Sequence, residues 1–269
     1  MKRGILAPTL VAAVLVLAPG TSRQLYAQGR TGGRAAPAPP PTARAAAPID
    51  LTGNWVSIIS EDWRWRMVTP AKGDYASVPI TAEAKRIADA WDPARDQAAG
   101  EQCRSYGAPA IMRVPTRLRV SWLDDNTLKV ETDAGTQTRL LRFGAPKPPV
   151  GPPTWQGHSV AEWETAGGRG AGGRGAGGTG PQPTSGNLKV VTTRMRPGYL
   201  RKNGIPYSAD AVLTEYWDVH REANGDQWLV VTSLVDDPKY LQQQYVTSPN
   251  FKRERDGSKW EPTPCSATW

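Results

Sequence analysis

Leu118-Arg119-Val120-Ser121-Trp122-Leu123, then Leu128-Lys129-Val130-Glu131-Thr132, then Gln137-Thr138-Arg139-Leu140-Leu141-Arg142-Phe143 decide the fold. In the first two runs apolar and polar side chains largely alternate, as they do along a half-buried strand, and the third is a short run of strand length that follows them. Asp124-Asp125-Asn126 and Ala134-Gly135 punctuate the runs at turn spacing. Strands joined this closely predict an antiparallel meander. The same template fits Leu188 to Met195, Val212 to His220, Trp228 to Ser233 and Phe251 to Arg255, with Asn224-Gly225 as a hairpin turn. A sheet of this many strands curls or closes, because an open one leaves unpaired edges. The expected fold is therefore mainly β, an antiparallel curved sheet or β-barrel. One short helix is expected over residues 81–91, capped by Thr81, favoured by its alanines and stopped by Asp92-Pro93.

The N-terminus has a different composition. Lys2 and Arg3 precede a mostly apolar run from Ile5 to Pro19, and small residues lead to Leu25-Tyr26-Ala27. This is the order of a secretory signal, here of the Sec type with cleavage near Ala27. The run is roughly 15 residues, short of the about 20 that span a bilayer as a helix, so no integral membrane span is expected. Residues 28–48 are rich in Pro, Ala and Arg without apolar periodicity and read as a disordered linker. Six positive charges, Lys2, Arg3, Arg23, Arg30, Arg34 and Arg44, precede Asp50, the first acidic residue. Of the net charge of +8, residues 49–269 therefore keep about +2. Nucleic acid is not expected as a partner. The basic linker offers at most a weak association with an anionic envelope surface.

Residues 49–269 are enough for one β-rich domain around a single core. Cys103 and Cys265 lie far apart in a chain expected to be periplasmic or secreted, where disulfides persist, and a bridge between them is preferred over two free thiols. Two cysteines do not make a zinc site, and no metal or cofactor is expected. Gly167 to Gly175 lacks the Lys-Ser/Thr ending of a phosphate loop, so segment 166–186 reads as a flexible insertion between two strands.

Two resemblances add to this reading. Gly53-Asn54-Trp55 resembles the Gly-x-Trp opening of lipocalin-like barrels. That resemblance implies a tryptophan closing one barrel end under a late-strand arginine, Arg253 or Arg255. Cys103 to Gly107, Asp133 to Arg139, Trp155 to Val160, Gly198 to Gly204 and Asp237 to Leu241 together resemble a family of exported proteins from environmental bacteria without an assigned activity. The second resemblance implies export and a β-rich domain and transfers no catalytic residue.

Candidate site residues follow from side-chain chemistry. Strand alternation puts Glu215 on the apolar face of its strand with Leu213, Trp217 and Val219. A carboxylate facing a barrel interior either pairs with a cation or serves a site, and Arg139, which shares a face with Leu141, is the first candidate partner. His158 is the candidate base. His220 reads as a solvated strand end. Asp236-Asp237 lacks the further oxygen ligands calcium needs. Among many tryptophans, Trp63, Trp65, Trp155 and Trp217 are the candidate ligand contacts, and Trp63-Arg64-Trp65-Arg66 read as a strand puts two tryptophans on one face.

The favoured function is a secreted or periplasmic binding protein for a small amphipathic or aromatic ligand held in a tryptophan-lined lumen. The first alternative is a metal-independent lyase, isomerase or hydrolase with His158 and Glu215 as base and acid and Arg139 stabilising negative charge. The second is a structural envelope protein.

Overall fold

A computed structural model describes residues 40–144, 146–165 and 185–268. The expected signal segment 1–27, residues 28–39 of the expected linker and residues 166–184 of the expected insertion lie outside the described residues.

Strand β1 (Gly53–Ile58) is followed by four short helices, α1 (Trp63–Arg66), α2 (Ala82–Asp89), α3 (Pro93–Ala98) and α4 (Ala108–Ile111). The meander β2 (Arg117–Asp124), β3 (Thr127–Thr132) and β4 (Thr138–Phe143) comes next. Strands β5 (His158–Thr165) and β6 (Gly186–Thr193) precede a small hairpin, β7 (Gly198–Tyr199) and β8 (Pro206–Tyr207). The chain ends with β9 (Val212–Arg221), β10 (Gln227–Asp236), β11 (Tyr245–Thr247) and β12 (Asn250–Glu254).

Nine strands close into a barrel in the order β10, β12, β1, β2, β3, β4, β5, β6, β9, with β9 returning to β10. In a closed barrel of strands that alternate in direction, an odd number forces one neighbouring pair to be parallel. That pair is β4 and β5, where Leu141 lies opposite Ser159 and Phe143 opposite Ala161. The expected antiparallel meander therefore holds from β1 to β4 and breaks at β5. The proline-bearing segment from Pro146 to Gly157 lies on the crossing that a parallel neighbour requires. An eight-stranded up-and-down lipocalin barrel has no such pair. Strands β11 and β12 lie against β10 in one register, Ser233 opposite Thr247 and Trp228 opposite Lys252. Together they form one strand, interrupted at Pro249, which has no N–H to donate.

The interior is filled. Leu118, Val120, Leu128, Val130 and Leu141 meet Trp163, Leu188, Val190 and Trp217 in one buried cluster, completed by Leu229, Val231 and Phe251. These are the positions that alternation assigns to the inner face. At one end Trp55 is fully buried, donates its indole N–H to the Leu51 carbonyl oxygen at 3.0 Å, and carries the Arg253 guanidinium over its ring at 5.0 Å. Gly53 has φ 122°, a backbone conformation that L side chains rarely adopt, so the backbone favours glycine there.

At the opposite barrel end a second buried cluster joins Leu213 and Val235 of the barrel to Tyr75, Val78 and Ala88 of the helical segment and to Leu200, Ile205 and Tyr207 of the small hairpin. Helix α2 matches the expected helix, with Thr81 Oγ1 accepting from the Ala84 N–H at 3.2 Å. Asp92 ends it and caps α3 in turn, accepting from the Ala94 and Arg95 N–H groups. Trp63 to Arg66 form the single turn of α1, so the alternation expected of a strand does not apply there. Cys103 and Cys265 form a disulfide, with Cα atoms 5.1 Å apart. It fixes the C-terminal segment beside the 3-10 turn over Gln102–Tyr106.

Residues 40–48, placed in a disordered linker by composition, are ordered. The Arg44 N–H donates to Asp125 O at 3.0 Å, the Ala43 N–H to Asn126 Oδ1 at 3.0 Å, and Trp163 Nε1 donates to Ala43 O at 2.8 Å. Three directed hydrogen bonds and the packing of Ala46 and Ala47 against the core replace the apolar periodicity this segment lacks.

Candidate functional site

Strand geometry places the expected catalytic residues on two sides of the barrel wall. Arg139 and Glu215 point inward and form a two-pronged ion pair, Nη1 to Oε1 at 3.0 Å and Nη2 to Oε2 at 2.5 Å. Arg139 is 1% and Glu215 0% exposed. Thr192 Oγ1 lies 3.4 Å from Arg139 Nη2 and 2.8 Å from Ser159 Oγ, which extends the polar group within an apolar core, while Arg139 Nε has no acceptor among the described residues. His158 precedes Ser159 and therefore faces outward, buried beneath the segment from Pro146 to Gly157, where Nε2 donates to Pro146 O at 3.2 Å. The wall separates His158 from Glu215, and the structure does not bring these two together as an acid–base pair.

The expected tryptophan contacts also disperse. Trp217 is a core residue, Trp155 lies under the Arg196 guanidinium at 4.3 Å, and Trp63 is 66% exposed. The filled core leaves Trp217 no lumen to line. Of the four, Trp65 borders a cleft, one outside the lumen, in the layer covering the barrel end. His220 is exposed, as expected for a strand end. Asp237 is buried, and its carboxylate accepts from the Ser208 N–H at 2.6 Å, Ser208 Oγ at 2.9 Å and the Lys239 N–H at 3.0 Å, a local cap. Among the described residues no group of three or more His, Cys, Asp or Glu side chains is placed to hold a metal.

The cleft at Trp65 is small, with a cavity volume of about 20 Å³, room for about one water molecule. Helix α1 contributes Trp65 and Arg66, the stretch from the 3-10 turn through α4 contributes Ser105, Ala110, Arg113 and Val114, and the β7–β8 turn contributes Leu200, Arg201 and Lys202. Asp62 starts α1 in the left-handed conformation, φ 52°, which aspartate tolerates better than most residues. Its carboxylate does not cap the helix and instead accepts from Arg113 Nη2 at 2.9 Å. The β7–β8 turn is buried although its composition is that of a solvated loop. Asn203 Nδ2 ties it down by donating to Ala71 O at 3.2 Å and Asp74 O at 2.9 Å. Gly204, at φ 83°, lets Trp91 pack directly against its backbone.

Four cationic side chains, Arg66, Arg113, Arg201 and Lys202, line the cleft and all are buried. Arg66 donates from Nε to Arg113 O at 2.8 Å and from Nη1 to Glu61. Arg201 donates from Nη1 to Ala76 O at 2.7 Å, and its guanidinium lies over the Trp65 ring at 4.8 Å. Lys202 Nζ donates to Tyr106 Oη at 2.7 Å and to Ser266 O at 3.1 Å. Burial pulls the Arg66 guanidinium down to about 10, with the Arg113 charge adding to the effect against Glu61. Several N–H groups of these arginines, Arg66 Nη2, Arg113 Nη1 and both Nε and Nη2 of Arg201, have no acceptor among the described residues. Buried donors in this state are costly to the fold, and they are what a ligand acceptor satisfies.

Arg113, Arg201 and Lys202 were not singled out by the sequence reading. The signal available was the charged pair Arg201-Lys202 in a short turn between Tyr199 and Tyr207, two aromatics that bury what they flank.

Burial also pulls the Lys202 ammonium down to about 7 from its ordinary 10.5. Between these values the unfolded chain binds a proton that the folded chain releases, so unfolding free energy rises with pH over that interval. Below the folded value the burial penalty is carried in full. Urea titrations from about pH 7 to about pH 9 are expected to show rising stability in the wild type and a flatter profile in Lys202→Met. An equal slope in the two proteins would remove Lys202 as the source.

The fold and site together define a class, a closed β-barrel with a cationic cleft in the layer over one end, an architecture compatible with a binding protein. Comparison with protein-family models, with curated proteins and with solved structures returns no match. The disulfide fits a secreted or periplasmic protein. Among the described residues no helix is long and apolar enough to cross a membrane.

Proposed function

We propose that the chain is an extracytoplasmic binding protein for a small amphipathic or aromatic ligand, which places its polar end in the small Trp65 cleft and its body outside it, and does not enter the barrel lumen. The signal-like N-terminus and the disulfide support the location. One observation carries the binding role. Apolar Trp65, Ala110, Val114 and Leu200 meet buried guanidinium groups with open N–H donors in a single cleft, the mixed lining that orients a small ligand. The catalytic alternative needs His158 and Glu215 to converge, and they stand on opposite faces of a strand wall. The lumen is packed by side chains that leave the Arg139–Glu215 pair no access to solvent.

Fluorescence titration of the purified protein against a panel of small aromatic and amphipathic compounds tests this role. A saturable change is expected for one chemical class, weakened about tenfold or more in Trp65→Ala and preserved in Trp155→Ala. A wild-type protein that responds to no compound, or a Trp65→Ala variant that binds as the wild type does, would overturn the cleft as the binding site.

A further inference from the structure

We infer that the small cavity at Trp65 binds a single halide ion such as chloride. This goes beyond the binding role proposed above and does not rest on it. Size is the first observation. With a volume of about 20 Å³ the cavity holds one water-sized body. A monatomic ion fits that room, whereas a whole phosphate or sulfate ion does not. The second observation is the kind of polar group left open. Arg66 Nη2, Arg113 Nη1 and both Nε and Nη2 of Arg201 are buried donors without an acceptor among the described residues, and all three side chains line the cavity. The remaining polar lining also donates. The Trp65 indole N–H has the Asp74 carboxylate near it, and Lys202 Nζ donates to Tyr106 Oη and Ser266 O. Of the lining side chains, Ser105 brings a hydroxyl, which both donates and accepts. A water molecule among so many donors lacks acceptors for its own hydrogens. An anion accepts from every direction and needs none.

Charge points the same way. Arg66 pairs with Glu61, Arg113 with Asp62, and the more exposed Arg64 with Asp74, whereas Arg201 makes no ion pair among the described residues. Three buried guanidinium groups therefore face two carboxylates. Lys202 does not reduce this excess, because its amine is either neutral or positive, burial having drawn it down to about 7. An unpaired charge in a buried setting is destabilising, and a monovalent anion beside Arg201 offsets it. Arg201 is already held in place for this role. Its Nη1 donates to Ala76 O at 2.7 Å and its guanidinium lies over the Trp65 ring at 4.8 Å, which fixes the edge that carries Nε and Nη2. The ion and the polar end of the proposed ligand claim the same room, so each excludes the other.

Melting curves of the whole protein at constant ionic strength, with sodium gluconate exchanged stepwise for sodium chloride, test the site, because gluconate is far too large for the cavity. Chloride is expected to raise the melting temperature along a saturating curve, by about 5 to 10 °C once it stands about a hundredfold above its dissociation constant. In Arg201→Met, which removes the charge and the open donors but keeps an apolar stem against Trp65, the rise is expected to vanish. Crystals soaked in sodium bromide give a readout that needs no variant. One anomalous peak within hydrogen-bonding reach of Arg201 Nε or Nη2 is expected. Equal melting temperatures in the two salts, or a rise that never saturates, would overturn the site. So would a chloride response retained by Arg201→Met, or a bromide-soaked crystal with water in the cavity or with bromide only elsewhere. Failure of the ion leaves the ligand-binding role to the fluorescence panel, and a silent panel beside a saturating chloride response would remove that role while the ion site stands.

Discussion

Replacing Cys103 and Cys265 together by alanine is expected to lower the unfolding free energy by about 4 to 5 kcal/mol, the loop-entropy value for a bridge closing on the order of 160 residues. The sequence separation is 162, long enough for the closure term to be near the top of its range. For a domain of this size the loss corresponds to a fall in melting temperature of roughly 10 to 20 °C. Local structure sets which part of the molecule loosens first. The C-terminal segment has few other anchors: the Thr263 N–H donates to Asp133 O at 2.9 Å, Thr136 Oγ1 donates to Thr263 O at 3.0 Å, and the Ser266 N–H donates to Tyr106 Oη at 3.2 Å. Its Ser266 carbonyl oxygen also accepts from Lys202. Without the bridge, the segment's hold on Tyr106 and Lys202 weakens, and Ser105, beside them in sequence, borders the cleft. Ligand affinity in the double variant is therefore expected to fall along with stability. Guanidinium unfolding with and without a reducing agent, read by tryptophan fluorescence, measures the effect. A loss under about 1 kcal/mol would show that the barrel and its covering layer hold the C-terminal segment unaided.

Much of the barrel was legible because strand chemistry is local. Alternation in Leu118 to Leu123 and Val212 to His220 assigns faces without any knowledge of neighbours, and it placed Glu215 and Arg139 inward, where they pair. The parallel pairing of β4 and β5 was not legible in this way. It follows from the odd number of strands that closes the barrel, a property of the whole sheet and of no single segment. The four residues from Trp63 to Arg66 show the limit from the other side. An alternation this short fits one helical turn as well as a strand, and the tertiary setting chose the helix.

The cleft was the least legible feature, for a physical reason. Arg66, Arg113 and Arg201 come from three segments without apolar periodicity, and each alone reads as a solvated cation. They are buried only because the helical segment and the β7–β8 hairpin pack together over one barrel end. Burial of a charge by assembly of remote segments leaves no periodic trace, so the site is seen only once Asn203, Ala71 and Asp74 are known to meet.

The Arg139–Glu215 pair carries the second large prediction. Replacing Glu215 by leucine, close to it in volume, is expected to cost about 3 to 5 kcal/mol, because it strands the Arg139 guanidinium in the core. Arg139→Met is expected to cost a similar amount by stranding the carboxylate. Combining them reverses the argument, since no charge then needs a partner and both new side chains suit the surrounding Leu141, Val190 and Trp217. The Ser159 and Thr192 hydroxyls stay bonded to each other at 2.8 Å, so the double variant leaves no new buried hydroxyl without a partner. Its stability is expected to lie within about 1 kcal/mol of the wild type or above it, which makes the coupling between the two positions several kcal/mol and favourable. Urea unfolding of the four proteins closes this cycle. If the double variant loses as much as the two single losses added, the pair contributes more than mutual neutralisation, and its network must specify the barrel's register. The same four proteins test where function resides. The pair has no access to solvent and the cleft lies in the covering layer, so the folded double variant is expected to bind cleft ligands as the wild type does. A folded double variant that has lost binding would move the site back into the barrel.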